Sequence, residues 1–372
     1  MTSVPSIRTL FTTYVLPAVW TAAIAFPIMG FSRATAAALF MLAGIIVFTV
    51  ITRRRGLRRP HGLLRARLES SRAVRHAWVF VLAAAIAAPL LLNSYSLDVF
   101  TSVLFYMMLA LGLNLLVGDL GLLNLGYIAF YGIGAYTYAI LAARFGISFW
   151  IALAAGGAAA SVFSLIIAIP TLRLRGDYLA IATLGFGEIV RIVFNNWDSL
   201  TNGPNGIMNV PRPWLPWIGF LSGMSFTYLV LCFVILQVYV LVRIKQCRFG
   251  RYAVAIRENE RASAMVGINT YAVKTVYFML SAFFGGVAGV LFASKQMFVS
   301  PDSFTFIESV YVLAMVILGG MGNIAGVMLG AFTLVVLPEL LRGFVVYRML
   351  IFALLLITMM LFRPEGLLGK KA

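Results

Sequence analysis

The stretch GLNLLVGDLGLLNLGYIAFYGIG (residues 112–134) decides the fold class, because it is apolar enough for a membrane yet is repeatedly interrupted by glycine. Its glycines and Asp119 break the apolar run and bring Asn114 and Asn124 to membrane depth. Irregular backbone at that depth is tolerated only where protein or a water-filled cavity covers it. Asn114, Asn124 and Tyr127 are therefore candidates for lining a solute pathway, and hydrogen bonding between helices is the alternative.

The whole chain shares this apolar character. Of its 372 residues 62% are hydrophobic and 11% are charged, whereas a soluble protein has about 45–50% and 25%. The mean hydropathy is +0.98. About 230 apolar residues suffice for on the order of ten membrane spans of about 20 residues each. These figures exclude a secreted enzyme, a disordered chain and a protein with a single anchor, and the continuous apolar runs argue against an outer-membrane barrel.

We predict an all-α polytopic membrane protein with ten to twelve spans, since several apolar stretches are short or broken by glycine. The stretches lie at residues 10–29, 34–52, 77–93, 97–118, 121–143, 147–169, 178–196, 224–243, 273–294, 309–322, 323–341 and 344–362.

The basic residues indicate the orientation of the chain. There are 29 Lys and Arg against 12 Asp and Glu, and the basic residues concentrate in 53–76, 172–177 and 243–274. If the N-terminus is cytoplasmic, 22 of the 29 face the cytoplasm, in agreement with the excess of Lys and Arg in cytoplasmic loops. We therefore predict that both termini are cytoplasmic and that 196–223 is the one substantial outer loop.

Covalent chemistry finds no support in the sequence. The phosphate-binding pattern GxxxxGK[ST] does not occur, and both histidines lie in the basic loop 53–76. The two cysteines, Cys232 and Cys247, lack the spacing of a metal site, and we expect no disulfide. We therefore expect no catalytic residue, metal or cofactor in this chain; its work would be the passage of a solute, with ATP handled by another chain.

Glu188 and Arg191 are the only charges well inside a predicted span, 178–196. At 1.5 Å per residue, Glu188 lies about 15 Å from the start of that helix, near the middle of the membrane. A spacing of three residues lets the two side chains pair. Ionisable residues within a membrane are functional candidates, and a pair that only holds helices together is the alternative.

The basic segment 243–274 contains a predicted amphipathic helix at 251–266, followed by Gly267, where a helix C-terminal glycine is expected. A solvated charged helix accounts for the pattern, and so does an element that docks on a cytoplasmic motor. One side of the predicted helix carries Ala253, Ile256, Ala262, Met265 and Val266, and the other carries Arg257, Glu258, Glu260 and Arg261.

Five stretches of the sequence carry a resemblance to a known family. The stretch LRLRGDYLAIATLGFGEIVRIVFNNWDSLTNGPNGI (172–207) resembles the signature of bacterial branched-chain amino-acid ABC importer permeases of the LivM type. Residues 112–139 resemble the Gly-rich region of that family, and GRYAVAIRENERASAMVGI (250–268) resembles its ATPase-coupling loop. Residues 298–322 and RPEGLLG (363–369) resemble its C-terminal segments.

The resemblance implies a type II ABC importer permease fold. It implies about ten core transmembrane helices within 77–372, preceded at 1–76 by an N-terminal transmembrane hairpin and an Arg-rich cytoplasmic loop. It further implies a second homologous permease, two cytoplasmic ATPase subunits that bind the ATP, and a periplasmic or extracellular solute-binding protein. The expected location is the bacterial cytoplasmic (inner) membrane.

By the same analogy, the solute pathway runs between the two permeases and the loop 243–274 contains the coupling helix. The expected pathway residues are Asn114, Asn124, Tyr127, Glu188 and Asn195. The expected coupling residues are Ile256, Arg257, Glu258, Glu260, Met265 and Gly267.

The resemblance implies leucine, isoleucine and valine as the solutes, and alternatives stay open. An importer of another small neutral solute, such as urea or other amino acids, has the same sequence features. An ion-coupled secondary transporter needs an unpaired intramembrane carboxylate, whereas Glu188 has Arg191 beside it. A scaffold protein would leave the broken glycine-rich spans unexplained.

Overall fold

The computed structural model describes residues 92–340, apart from 173, 175, 216–218 and 222, together with 89–90, 353–354, 357 and 366–367. The predicted hairpin and basic loop at 1–76, nearly all of the stretch 77–93 and most of 344–362 lie outside the described residues.

Helices dominate this part of the chain. The helices are α1 (Ser94–Asn114), α2 (Tyr127–Phe145), α3 (Phe149–Thr171), α4 (Asp177–Asn196), α5 (Asp198–Thr201), α6 (Met224–Gln246), α7 (Arg248–Glu258), α8 (Glu260–Met265), α9 (Thr270–Gln296), α10 (Phe306–Gly319) and α11 (Ile324–Leu340). A π-helical turn (Leu115–Leu120) continues α1, and 3₁₀ turns lie at Gly203–Asn205 and Pro301–Phe304.

Two short antiparallel ribbons complete the described secondary structure. Strand β1 (Ile207–Met208) pairs with β4 (Phe298–Val299), and β2 (Trp214–Leu215) pairs with β3 (Gly219–Phe220). The first ribbon ties the predicted outer loop to the end of α9.

Six of the described helical segments are long and apolar enough to cross a membrane. At about 1.5 Å per residue, their 19 to 27 residues reach about 28–40 Å, against a hydrocarbon core of about 30 Å. The segments are Ser94–Leu120, Tyr127–Phe145, Phe149–Thr171, Met224–Gln246, Thr270–Gln296 and Pro301–Gly319, and Ile324–Glu339 is a shorter apolar helix. The prediction of an all-α membrane protein is confirmed for this part of the chain.

The chain divides into two compact units, residues 1–99 with 333–364 and residues 100–332 with 365–372. The second unit is organised around α9, which packs along α2 and α3. Close approach explains the glycines there: a Cβ on Gly134 would collide with the backbone of Gly286, and a Cβ on Gly289 with the carbonyl of Tyr131. These glycines thus allow the helix backbones to pack closely against each other.

The break between the first two membrane helices is longer than the apolar pattern predicts. Helix α2 begins at Tyr127 rather than near 121, and residues 121–126 are not helical. Gly121 ends the π-helical turn with φ +70°, a conformation that favours glycine. The side chain of Asn124 then accepts a hydrogen bond from the backbone N–H of Gly126 at 2.9 Å, which stabilises a turn instead of a helix.

The predicted single helix at 251–266 is two helices, α7 and α8. Asn259 adopts extended backbone (φ −156°), and its side chain caps α8 by accepting a hydrogen bond from the N–H of Ala262 at 3.0 Å. Because the helix is interrupted at Asn259, the two ends do not share one continuous helical face. Ile256 is 4% exposed, whereas Met265 is 88% exposed, so the prediction that they share an apolar side is wrong.

Candidate functional site

A polar cluster links the helix break to the loop that precedes α9. It consists of Asn114, Gly118, Asp119, Lys245, Arg257 and Gly322. Gly118 and Asp119 belong to the π-helical turn, Lys245 to the last turn of α6, and Arg257 to the last turn of α7. Gly322 lies in the turn between α10 and α11.

Short hydrogen bonds hold this polar cluster together. Arg257 Nη1 donates to the carbonyl of Gly118 at 2.5 Å. Lys245 Nζ donates to the carbonyl of Gly322 at 2.6 Å and pairs with Asp119 Oδ1 at 2.7 Å. The N–H of Gly322 donates to Asn114 Oδ1 at 2.8 Å. Two cations thus bind one carboxylate oxygen and two backbone carbonyls where helices are interrupted.

Glycine at position 118 is a steric requirement of the polar cluster. A Cβ at that position would collide with Asn114 Oδ1 and with the backbone N and Cα of Gly322. A π-helical segment also shifts the hydrogen-bond register of the helix, and such segments often occur at functional sites. The π-helical turn is therefore packed directly against the turn at Gly322, with no room for a side chain between them.

Asn124 and Tyr127 lie on the other side of the break and are fully buried. Tyr127 Oη donates to the carbonyl of Ser281 on α9 at 3.1 Å. Asn124 uses its oxygen for the turn at Gly126, and its Nδ2 has no hydrogen-bond partner among the described residues. The N–H of Leu125 donates to Thr183 Oγ1 on α4 at 3.1 Å, so the break is tied to that helix.

Helix α4 presents a different kind of polar site. Glu188 Oε2 and Arg191 Nε are 2.9 Å apart, and their side chains are 31% and 33% exposed. Ile181, Ile189 and Ile192 on the same helix are each at least half exposed. The ion pair therefore lies on a helix that the described chain covers only in part.

One stripe of α4 combines these features. Its residues follow at helical spacing, and a Cβ on Gly185 would have nothing within 4 Å, so the surface beside Glu188 is open. We call this stripe the α4 face; it consists of Ile181, Gly185, Glu188, Ile192 and Asn195.

Helices α7 and α8 are anchored on one side and bare on the other. Ala253 and Ile256 are buried, and Lys274 Nζ of α9 pairs with Glu260 Oε1 at 2.5 Å. The outward side carries apolar and aromatic side chains that are exposed in this chain, and Glu258 is exposed as well. Those apolar side chains are Phe249, Tyr252, Val254, Met265 and Val266, with Met265 and Val266 both more than 80% exposed.

The residues singled out from the sequence thus fall in three places. The structure puts Asn114, Asn124 and Tyr127 inside the bundle, Glu188 and Asn195 on the α4 face, and the coupling candidates on α7, α8 and the following Gly267. Gly267 follows α8 with φ +87°, as expected for a glycine that ends a helix.

Sequence reasoning missed the roles of Lys245, Asp119 and Gly322. Asp119 interrupts an apolar run, and Lys245 begins the basic segment that follows the apolar stretch at 224–243. These were signals that each residue mattered. The sequence carried no signal that the two are partners 126 positions apart.

Comparison with known proteins gives a consistent result. The family model described as "Branched-chain amino acid transport system / permease component" matches residues 95–361. The chain is 44% identical over 313 residues to the high-affinity branched-chain amino acid transport system permease protein LivM of Escherichia coli K12, covering 78% of this chain and 74% of that protein.

More distant relatives extend this similarity. The permease protein LivH of Salmonella typhimurium is 27% identical over 289 residues, which is 71% of this chain and 91% of LivH. The nucleoside ABC transporter permease protein NupC of Lactococcus lactis is 30% identical over 189 residues, covering 46% of this chain and 59% of NupC. No solved structure matches this chain.

Proposed function

Because the chain belongs to the family of permease components of branched-chain amino-acid transport systems, we propose that it is a membrane subunit of an ATP-driven importer for leucine, isoleucine and valine. The observation that carries this proposal is 44% identity over 78% of the chain, which includes most of the described helices. As a permease it moves a solute and performs no covalent chemistry on it.

The surface of α7 and α8 is the proposed contact with the ATPase subunits. One side of the helix pair is fixed to the bundle through Ile256, Arg257 and Glu260. The other side exposes Val254 and Met265 to solvent, which is costly unless a partner covers them. In this proposal Glu258 contacts the ATPase at the edge of that surface, and Gly267 allows the chain to turn back into α9.

The complete importer contains more chains than this one. We propose a second homologous permease, two cytoplasmic ATPase subunits that bind ATP, and an external solute-binding protein. The similarity of this chain to both LivM and LivH supports a pairing of two related permeases. In that complex the chain adopts a type II importer fold with about ten helices in 77–372 and an added hairpin at 1–76.

The orientation follows from the charges. With both termini in the cytoplasm of a bacterial inner membrane, Arg243, Lys245, Arg248 and Arg251 lie on the cytoplasmic side. The exposed surface of α7 and α8 is then on the side where ATP is available. The ribbon of β1 and β4 lies on the opposite side, where the solute-binding protein docks.

The α4 face is the proposed wall of the solute pathway. An ion pair that is one-third exposed is poorly suited to lipid, and it is well suited to an aqueous route between two permeases. A branched-chain amino acid carries an ammonium, a carboxylate and an apolar side chain. Glu188, Arg191 and the neighbouring isoleucines offer a complement to each of these groups.

Asn114, Asn124 and Tyr127 form the inner boundary of the proposed pathway. The bond from Leu125 N to Thr183 Oγ1 joins their segment to α4, behind the face that carries Glu188 and Asn195. Asn124 Nδ2, a buried donor without a partner among the described residues, is the member of this set that has a free hydrogen-bonding group to offer.

Reconstitution of the complete importer tests this function. Proteoliposomes that contain this chain, the second permease and the ATPases, with binding protein on the other side, should accumulate labelled leucine only when the ATPases are given ATP. Unlabelled isoleucine and valine should compete. Uptake that is driven by an ion gradient without ATP would contradict the proposal and favour a secondary transporter.

A competition panel separates the alternative solutes. The similarity to NupC makes a nucleoside a reasonable second class, and urea represents other small neutral solutes. If adenosine or urea displaces leucine, or is itself accumulated while leucine is not, the substrate assignment is wrong even though the importer class stands.

A further inference from the structure

The donors and acceptors of the polar cluster are divided between two parts of the molecule. The two cationic donors are Lys245, in the last turn of the helix that leads into the exposed helix pair, and Arg257, in α7 of that pair. The acceptors Gly118, Asp119 and Gly322 lie where the membrane helices are interrupted. The segment that carries the exposed helix pair is therefore bonded, through Lys245 and Arg257, to the places where the membrane helices are interrupted.

The acceptor side is itself cross-linked. The bond from Gly322 N to Asn114 Oδ1 joins the end of α1, directly before the π-helical turn, to the turn between α10 and α11. Because Gly118 leaves no room for a side chain at this contact, a displacement of one turn has to displace the other. A shift of Arg257 would therefore move two interruptions of the bundle together.

The contacts also extend toward the α4 face. Residues 121–126 follow the π-helical turn directly, and their far end is bound to α4 through Leu125 N and Thr183 Oγ1. The backbone of Gly126 lies so close to the carbonyl of Thr183 that a Cβ on Gly126 would collide with it. A contiguous chain of contacts therefore runs from Arg257 through Gly118 to α4.

A second arrangement of the polar cluster is available. Asp119 Oδ2 is buried and has no hydrogen-bond partner among the described residues, although Lys245 contacts Oδ1 of the same carboxylate. An ammonium has three N–H donors, and Lys245 directs two of them at Asp119 Oδ1 and the carbonyl of Gly322. Oδ2 is therefore available as a second acceptor for Lys245 if α6 and α7 shift together.

We propose that Lys245 and Arg257 are positioning residues that transmit movement of α7 and α8 to the helix break and to α4. The inference rests on the proposed function, since it assigns these two cations to the membrane-facing side of the coupling element and not to contact with the ATPase. The charge-assisted bonds to backbone carbonyls make the connection stiff, and the free oxygen of Asp119 makes it reversible.

The test is the ratio of leucine transported to ATP hydrolysed in the reconstituted importer. Arg257→Gln removes the bond to Gly118, whereas Arg257→Lys keeps a donor there. Arg243→Gln is the matched control, because Arg243 is exposed on α6, outside the proposed ATPase contact, and its hydrogen bond is local, to Tyr239 Oη at 3.2 Å. We expect Arg257→Gln to lower the ratio about tenfold, within the usual range of coupling between sites. Arg257→Lys should recover much of it, and Arg243→Gln should leave it unchanged.

Three outcomes would overturn the proposal. The first is an unchanged ratio in Arg257→Gln. The second is loss of the ATPase subunits from Arg257→Gln but not from Arg243→Gln, because that places Arg257 in the docking surface. The third is equal loss in Arg257→Gln and Arg257→Lys. Failure of the proposed function is distinguishable, since the wild-type importer would then show no ATP-driven leucine uptake at all.

A second pair of variants isolates Lys245 from folding defects. Lys245→Met leaves Asp119 as a buried carboxylate without its cation, and adding Asp119→Asn removes that charge. We expect the double variant to regain protein abundance while its transport ratio stays low, because the bond to Gly322 is still missing. A double variant with the wild-type ratio would show that Lys245 acts only in folding.

Discussion

The helix break and the α4 face both carry polar groups in segments that the sequence places in a membrane. They differ in how far those groups are buried and in what they bond to. At the break, Asn114 is 1% exposed and its oxygen is used by a backbone N–H. On α4, Glu188 and Arg191 pair with each other, and their side chains are about one-third exposed among the described residues. Polar residues at membrane depth are therefore of two kinds: buried groups that bond to the backbone, and partly exposed groups that pair with each other.

The difference teaches that burial separates a structural polar group from one that can meet a solute. A buried asparagine that caps a backbone N–H contributes stability, and its loss leaves an unsatisfied group. A half-exposed ion pair contributes little to stability and is free to change partners. We therefore expect substitutions at the break to affect folding first, and substitutions on the α4 face to affect transport first.

The largest effect is expected for Gly118→Ala. The added Cβ collides with Asn114 Oδ1 and the backbone of Gly322, so the contact between the two turns must open. We expect a loss of about 3 kcal/mol in stability, from overpacking and a broken buried hydrogen bond. Thermal unfolding in detergent measures it. Gly185→Ala on α4, where a Cβ meets nothing within 4 Å, is the control and should unfold like wild type.

Asn114→Ala comes next. It leaves the N–H of Gly322 without its acceptor in a partly buried site, which costs about 1 kcal/mol. Unfolding temperature and protein abundance should fall, while the KM for leucine uptake stays close to that of wild type once uptake is divided by abundance. A changed KM with normal stability would instead place Asn114 on the pathway surface.

Glu188→Gln should have the opposite effects, with uptake reduced and stability nearly unchanged. Because an exposed ion pair contributes at most about 1 kcal/mol, folding and surface abundance should be nearly unaffected. Uptake per surface copy should fall roughly fivefold, the factor that corresponds to that energy if the pair is exchanged during passage. Unchanged uptake would remove Glu188 from the transport mechanism.

The smallest effect is expected for Asn195→Ala at the end of the α4 face. The side chain is half-buried, and a neutral hydrogen bond to a passing solute is worth about 0.5 kcal/mol. Leucine uptake should show a KM raised about twofold with unchanged maximal rate. A loss of stability without any change in KM would assign Asn195 to packing.

Much of the fold could be predicted from hydropathy. The predicted stretches 147–169, 178–196 and 224–243 agree with α3, α4 and α6 to within a few residues. A long apolar run has few competing conformations in a membrane, since every backbone group must be satisfied within the segment. The pair of Glu188 and Arg191 was also predictable, because it depends only on the spacing of the two residues along one helix.

The parts that depend on tertiary structure could not be predicted. The start of α2 at Tyr127 depends on the turn of Asn124 and Gly126, and the division of α7 from α8 depends on the cap at Asn259. Hydropathy carries no information about either hydrogen bond. The polar cluster could not be predicted from the sequence either, because Arg257 and Gly118 are 139 positions apart and one partner is a backbone carbonyl.

The accessibility of position 188 tests most directly whether the α4 face lines the solute pathway. Cys232 and Cys247, both exposed in this structure, are first replaced by serine, and a single cysteine is placed at 188 in the complete importer, with one at 114 as the buried control. A pathway residue should react with a charged, water-soluble thiol reagent, and leucine-loaded binding protein should change the rate, while position 114 stays unreactive. Labelling of position 188 only by a lipid-soluble maleimide would show that the α4 face contacts lipid and would contradict the proposed pathway.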